Sequence, residues 1–316
     1  MILNTEVLTI FILNILFLFF GIIAFYLSVK IFLKWDVNST SSSQYALEKQ
    51  SILTATIIKY IFALKLPLFL FFVFTLDNLS NLITGAMCAA GVVDATPYGT
   101  YLFVLKILNL YIFGFWLVLH YLDSKTETLK YTKIKFGLFS IIFLFLLAEI
   151  ILETIMFNAI DLSKMVSCCG TIYSSTSSSF ISQIFTLSNS TILYIFYGNF
   201  LALVIFYILK KQYLFTLFNL FFLIVSIASL IAFFGTYIYE LPTHHCPFCY
   251  LQRDYYYIGY LIYILLFTGT FNGLLVGFTN TKETQKYKTS LLFNTAFVLV
   301  VTAYPIVFYI KNGVWL

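Results

Sequence analysis

The residues best suited to chemistry lie together in one short stretch, "LPTHHCPFCYLQR" at positions 241–253. This stretch holds two of the five cysteines, two of the three histidines and Arg253, the only arginine in the sequence. Cys246 and Cys249 form a C-x-x-C pair, whose sulfurs can close a disulfide across one turn. Such pairs are redox-capable, because a thiolate attacks a disulfide and exchanges with it. The spacing therefore indicates thiol–disulfide chemistry.

The pair precedes an apolar run at about 254–278, which predicts that Cys246 and Cys249 lie at the start of a helix. Arg253 then falls one helical turn after Cys249 on the same face, and both it and the helix N-terminus would stabilise a thiolate. His244 and His245 offer two alternatives. They could bind copper or zinc together with the thiols, or they could adjust the pKa of a neighbouring thiol. A structural disulfide, with Arg253 anchoring a lipid phosphate, is a further alternative.

Composition sets the class of protein that positions these residues. The 316 residues are 61% hydrophobic and 10% charged, which excludes a water-soluble domain. The apolar runs reach the roughly 20 residues that a helix needs to cross a bilayer. We predict an all-α, polytopic transmembrane helix bundle and a single integral membrane domain over residues 1–316. Eight spans are expected, at approximately 6–33, 51–75, 99–122, 134–159, 191–209, 214–238, 254–278 and 291–310.

Lysine placement predicts the orientation, since basic loops stay in the cytoplasm. The alternate loops that follow spans 1, 3, 5 and 7 hold Lys34, Lys49, Lys125, Lys130, Lys133, Lys210, Lys211, Lys282, Lys286 and Lys288. The other loops hold only Lys164 and Arg253. Both termini and all five cysteines are therefore expected on the outer side, where disulfides persist. The net charge of +5 reports this topology, and no nucleic-acid partner is expected.

The remaining cysteines lie in two outer loops. Cys88 is predicted between spans 2 and 3, and the adjacent Cys168 and Cys169 between spans 4 and 5. A disulfide between neighbouring cysteines is strained, so a bond from one of them to Cys88 is easier to build. We expect Cys88, Cys168 and Cys169 to take part in a redox relay, with a purely structural disulfide as the alternative.

Charged residues within spans form a second candidate group, because charge is costly inside a membrane. Lys65, Lys106, Glu149 and Glu153 occur at similar depth in spans 2, 3 and 4. Glu149 and Glu153 share one helix face. This pattern predicts ion pairing across three helices, which is either a structural network or part of a proton path.

The stretch "CPFCYLQR" resembles the C-x-x-C-x-x-[EQ]-R motif of the disulfide-bond-formation protein B (DsbB) family of membrane thiol:quinone oxidoreductases. The resemblance covers about residues 241–260, within a motif region of about 214–278. It implies that Cys249 faces a membrane quinone, ubiquinone or menaquinone, and that Arg253 polarises the quinone carbonyl. It also implies that Cys246 exchanges with an incoming disulfide. We add Gln252 and Tyr256 to the expected quinone site.

The family is a four-helix bundle with its motif after the first span, whereas here the motif follows the sixth. The family's second cysteine loop is also missing after the motif, so Cys88, Cys168 and Cys169 are the candidate replacements. Tyr256 lies in the run "DYYYIGY", which is also typical of an aromatic belt in contact with membrane lipid.

These observations predict a multi-pass protein of the prokaryotic inner membrane. Its expected function is protein-disulfide oxidoreductase, passing electrons between a periplasmic thioredoxin-fold protein and a quinone through Cys246 and Cys249. The direction of electron flow stays open, because a C-x-x-C pair oxidises or reduces according to its potential. The first alternative is a metal-handling or transporter membrane subunit that uses His244, His245 and the outer cysteines. The second is a structural subunit of a larger membrane complex.

Overall fold

The computed structural model describes residues 4–36, 39, 41–125, 131–161, 165–166, 188–278 and 284–316. Helices dominate these residues, and no strand occurs among them. Eight of the described helices are long and apolar enough to cross a membrane. The prediction of an all-α, multi-pass membrane protein with eight spans is therefore confirmed. The sidedness of the chain stays a prediction.

The helices follow the predicted order, with a short additional helix between spans 2 and 3. Their bounds are α1 Thr5–Lys34, α2 Ser42–Ser80, α3 Ala89–Asp94, α4 Gly99–Ser124, α5 Thr132–Ala159, α6 Asn189–Ile208, α7 Gln212–Tyr239, α8 Ile258–Phe278 and α9 Thr284–Asn312. Helix α2 begins well before the predicted position 51, because the side chain of Ser41 caps its first turn by accepting from the Gln44 N–H.

The described chain divides into two compact units. Unit 1 comprises Met1–Thr84 and Val92–Met165, and unit 2 comprises Gly85–Gly91 and Val166–Leu316. The short segment Gly85–Gly91, which carries Cys88, thus belongs with the C-terminal helices. The prediction of a single integral membrane domain stays a prediction.

Unit 1 has an aromatic core. Phe62 stacks on Phe113 with ring centroids 4.4 Å apart, and Trp116 meets Phe62 edge-on at 5.4 Å. The indole N–H of Trp116 donates to the carbonyl of Lys135 at 3.0 Å, so that its polar atom is satisfied inside the core. These contacts join helices α2, α4 and α5.

Unit 1 also buries the predicted charge network. Glu149 Oε1 accepts from Lys65 Nζ at 3.1 Å and from Lys106 Nζ at 2.9 Å. Lys106 Nζ also lies 2.9 Å from Glu153 Oε1. The expected ion pairing across three helices is confirmed. The four side chains are at most 6% exposed, so each charge depends on its partners for stabilisation.

Two asparagines that the sequence analysis did not select complete this network. Asn109 Nδ2 donates to Glu149 Oε2 at 2.6 Å, and Asn14 Nδ2 donates to Glu153 Oε2 at 2.7 Å. Asn14 Oδ1 also accepts from Lys65 Nζ at 3.0 Å. With Asn14 the network reaches helix α1, so all four spanning helices of unit 1 contribute to it.

Unit 2 packs through small residues and amides. Gly269 and Gly273 are four residues apart on α8, and the side chains of Asn294 and Asn219 lie against them. A Cβ atom on Gly273 would be 2.2 Å from Asn219 Cγ, so no larger residue fits there without movement. Asn294 Nδ2 donates to Asn219 Oδ1 at 2.9 Å. Such close helix packing over glycine is typical of membrane proteins.

Candidate functional site

Three cysteine thiols meet in unit 2. The Sγ atoms of Cys88 and Cys246 are 3.5 Å apart, and Cys249 Sγ lies within 4.8 Å of both. Their exposed fractions are 0%, 1% and 4%, respectively. Cys88 and Cys246 are 158 positions apart in sequence, so only the tertiary structure brings them together. We call Cys88, Cys246 and Cys249 the thiol cluster.

A hydrogen bond links the segment that carries Cys88 to the loop that carries the C-x-x-C pair. Gln252 Nε2 donates to the carbonyl of Met87 at 3.2 Å. Cys88 directly precedes helix α3, and its own carbonyl accepts from the Gly91 N–H at 3.0 Å. Gln252 therefore contributes to the position of the Cys88 segment, which is a different contact from the quinone contact expected for it.

A π-helical segment in α7 anchors the other side of the loop. Residues Leu230–Phe234 form this segment within an otherwise α-helical span. A π segment shifts the backbone hydrogen-bond register, and such shifts often occur at functional sites. The carbonyl of Ile231 pairs with His245 Nδ1 at 2.9 Å. Because a carbonyl can only accept, Nδ1 carries the proton in this contact.

Tyrosine hydroxyls hold the backbone of the C-x-x-C turn. The hydroxyl of Tyr239 donates to the carbonyl of Cys246 and accepts from the Tyr250 N–H at 3.1 Å. The hydroxyl of Tyr263 donates to the carbonyl of Pro247 at 2.7 Å and lies 2.6 Å from the hydroxyl of Tyr250. We call Tyr239, Tyr250 and Tyr263 the tyrosine cradle.

Two members of the cradle, Tyr239 and Tyr250, are buried, and Tyr263 is half-buried. Tyr250 is fully buried, and this burial raises its pKa well above the ordinary value. Its hydroxyl therefore stays protonated and available for hydrogen bonding at neutral pH. Sequence reasoning missed the cradle, because nothing in the sequence distinguishes its three tyrosines from the other tyrosines among a total of 24.

His244 lies beside the thiol cluster. Its ring meets the ring of Tyr239 edge-on, with centroids 4.3 Å apart. Burial lowers the pKa of His244, while the nearby Cys88 acts in the opposite direction. The imidazole is therefore neutral at neutral pH. Its Nε2 is buried and has no hydrogen-bond partner among the described residues.

The expected geometry of Cys249 and Arg253 is wrong. Helix α8 begins at Ile258, after Arg253, while Cys249–Leu251 and Arg253–Tyr255 form two separate 3-10 turns. Gln252 between these turns is extended, with ψ 164°. This break in the helical backbone means that Cys249 and Arg253 do not share an α-helical face. The thiols also lie outside the first turn of α8.

Two of the three residues predicted for the quinone site, Arg253 and Tyr256, are on the surface. Tyr256 is 93% exposed and has a φ of 54°, and Arg253 is exposed as well. Both side chains are therefore open to the surroundings of the protein. Cys168 and Cys169 lie outside the described residues, so their predicted relay role stays a prediction.

Among the described residues, the structure thus brings together three of the five predicted cysteines, and neither His244 nor His245 belongs to this group of potential metal ligands.

Comparison of the chain with protein-family models, with curated proteins and with solved structures gives no match. The chemistry of the site must therefore be argued from its own residues. Three buried thiols within 4.8 Å of one another suit either disulfide exchange or binding of a soft metal ion.

Proposed function

We propose that the protein is a membrane thiol:quinone oxidoreductase in which the thiol cluster exchanges disulfides. The observation that carries this proposal is the 3.5 Å distance between the sulfurs of Cys88 and Cys246. A C-x-x-C pair alone is a weak sign of redox function, but a third thiol in contact with it supplies the attacking group that exchange requires.

The exchange step conserves atoms and electrons. When Cys246 and Cys249 are joined by a disulfide, the Cys88 thiolate attacks Cys246 Sγ. The bond between Cys88 and Cys246 forms, the bond between Cys246 and Cys249 breaks, and Cys249 leaves as a thiolate. The reverse reaction restores the original disulfide. Cys246 is the suitable central sulfur, because its Sγ lies 3.5 Å from that of Cys88 and within 4.8 Å of that of Cys249.

The reduced thiols of the cluster then pass their electrons to an acceptor. Oxidation of two thiols to a disulfide releases two electrons and two protons, and a quinone that takes up both becomes a quinol. By resemblance to the DsbB family, Cys249 is the sulfur that faces the quinone. Arg253 interacts with the quinone carbonyl, and Tyr256 flanks the ring. The exposure of Arg253 and Tyr256 supports this proposal, because a quinone dissolved in lipid reaches such side chains directly.

We further propose that the protein resides in a prokaryotic inner membrane, with the thiol cluster on the periplasmic side. Ubiquinone or menaquinone would be the cofactor, and a periplasmic thioredoxin-fold protein the dithiol partner. The distribution of lysine residues supports this orientation.

Thiol trapping in bacterial cells that express the full chain tests the proposal. Cells with intact or blocked quinone synthesis are quenched with acid and alkylated, and the redox state of Cys246 and Cys249 is read by mass spectrometry. The pair should be oxidised when quinone is present and accumulate as thiols when it is missing. A pair that stays oxidised without quinone would be a structural disulfide and would overturn the proposal.

Two variants separate the roles within the site. Cys88→Ser should retain the disulfide between Cys246 and Cys249, but the internal disulfide between Cys88 and Cys246 that the parent forms during exchange should be absent. In Arg253→Lys, Cys246 and Cys249 should still form their disulfide. The KM for quinone should rise, because lysine lacks the planar guanidinium group of arginine. Quinone kinetics that are unchanged in Arg253→Lys would remove the role of Arg253.

A further inference from the structure

We propose that the thiol cluster, when reduced, is a binding site for a thiophilic d10 cation, with Zn²⁺ as the ion that fits best. Cys88, Cys246 and Cys249 supply its three sulfur ligands. This inference does not rest on the proposed function, since three converging thiols bind such an ion whether or not they pass electrons to a quinone.

The spacing of the sulfurs matches the size of such a site. Zinc–sulfur bonds of about 2.3 Å place the sulfurs of a tetrahedral site about 3.8 Å apart. The three sulfurs here lie within 4.8 Å of one another, and two of them are 3.5 Å apart. An ion at their centre therefore needs only small side-chain movements. The tyrosine cradle holds the backbone of Cys246 and Pro247, so the ligand loop is already in place.

Charge favours zinc over copper. Three thiolates around Zn²⁺ carry one net negative charge, whereas the same thiolates around Cu⁺ carry two. The three cysteines are buried, and the cost of burial rises with net charge. The more highly charged cation is therefore the better match for this site.

The fourth coordination position has a candidate in His244. Its Nε2 is buried without a hydrogen-bond partner among the described residues, and its neutral form can bind a metal. His244 is two residues before Cys246, so a change of its side-chain rotamer can bring the ring towards the cluster. His245 is less suitable, because its Nδ1 is engaged with the carbonyl of Ile231.

Zinc binding and disulfide formation exclude each other, because a sulfur in a disulfide is not a thiolate ligand. Oxidation of Cys246 and Cys249 should therefore release the ion. Zinc would in turn hold the reduced cluster back from exchange, which adds regulation by metal to whatever redox role the thiols have.

The test is a competition titration of the purified, reduced full-length protein with Zn²⁺ against a chromophoric chelator. One zinc ion per chain should bind, and Cys88→Ser should weaken the affinity by about 100-fold or more, because loss of a ligand exceeds the effect of outer-shell changes. The control is Tyr194→Phe, at a position that is 79% exposed, which should bind zinc as the parent does.

A spectroscopic measurement on the parent protein tests the same site without relying on the folding of a variant. Co²⁺ bound to the parent should show thiolate-to-metal charge-transfer absorption that disappears when the protein is oxidised. Zinc affinity that is equal in the parent and in Cys88→Ser would overturn the proposal, as would cobalt absorption that survives oxidation. These readouts need no quinone, so the metal site and the oxidoreductase activity can fail independently.

Discussion

The two units of this protein fill their interiors in different ways. The described part of unit 1 buries three lysines, two glutamates and one aspartate that pair with one another, and two asparagines donate to the remaining oxygens of the glutamates. The described part of unit 2 instead buries thiols, tyrosine hydroxyls and amides, and its ion pair between Lys311 and Glu240 is exposed. The buried polar groups of the two units thus differ in kind, with paired charges in unit 1 and thiols, hydroxyls and amides in unit 2.

The two sets of buried groups differ in how they respond to a change of charge. A closed set of ion pairs resists any change of charge, because removal of one member leaves another charge buried without a partner. Two thiols, by contrast, can be oxidised to a disulfide without leaving a buried charge behind, because both protons leave with the two electrons. The following predictions test this comparison, from the largest expected effect to the smallest.

Cys249→Ser should abolish quinone-linked thiol oxidation while the protein stays folded. The change is nearly isosteric, but a hydroxyl does not form the disulfide that the reaction needs. Turnover with a dithiol donor and a soluble quinone should fall to the background rate, and the melting temperature should stay close to that of the parent. Turnover at the parental rate in this variant would place the chemistry outside the thiol cluster.

Glu149→Ala should destabilise unit 1 by about 3–5 kcal/mol, because it leaves Lys65 and Lys106 buried with fewer partners. The measurement is equilibrium unfolding in mixed micelles, followed by tryptophan fluorescence. Glu149→Gln, which keeps the shape and an acceptor oxygen, is the matched variant and should lose less. An Ala variant as stable as the parent would show that water or lipid phosphate reaches the network.

Tyr239→Phe should loosen the C-x-x-C turn. The change leaves the Cys246 carbonyl and the Tyr250 N–H without the hydroxyl that pairs with them, at a cost of about 1–3 kcal/mol for each group. Alkylation of Cys246 in the reduced protein should become faster. Tyr194→Phe, at a position that is 79% exposed, is the control and should leave the alkylation rate unchanged. Equal alkylation rates in both variants would contradict the role of the cradle.

Gly273→Ala should destabilise unit 2 by about 1–3 kcal/mol, because the new methyl group would displace Asn219. Gly198 on α6 offers a matched control, since a Cβ there has no neighbour within 4 Å. Thermal unfolding of the two alanine variants compares them directly. A Gly198→Ala variant that loses as much stability as Gly273→Ala would contradict the packing argument, because alanine favours a helix more than glycine does.

Lys311→Ala should have the smallest effect. Its Nζ lies 3.1 Å from Glu240 Oε1, but both side chains are more than half exposed. Exposed ion pairs contribute about 0–1 kcal/mol, and salt screens them. The same unfolding assay should show a loss below about 1 kcal/mol that disappears in high salt. A loss similar to that of Glu149→Ala would erase the distinction between buried and exposed pairs.

Much of this architecture could be predicted from local pattern alone. Apolar run length predicted eight spans, because the thickness of a bilayer sets the length of a helix that crosses it. The cost of burying charge predicted ion pairing among the lysines and glutamates of spans 2, 3 and 4, because membrane-embedded charges need partners. The four-residue spacing of Gly269 and Gly273 also carried a packing signal, which the sequence analysis did not use.

The sequence by itself determined the membrane class, the number of spans and the presence of a C-x-x-C pair, since each depends on neighbouring residues. Only the tertiary structure decided that Cys88 contacts Cys246 and that the tyrosine cradle holds the backbone of the C-x-x-C segment. It also decided that Cys249 and Arg253 do not share a helix face. Contacts between residues far apart in sequence follow from how helices pack and where a backbone turns. Local hydropathy carries little information on either.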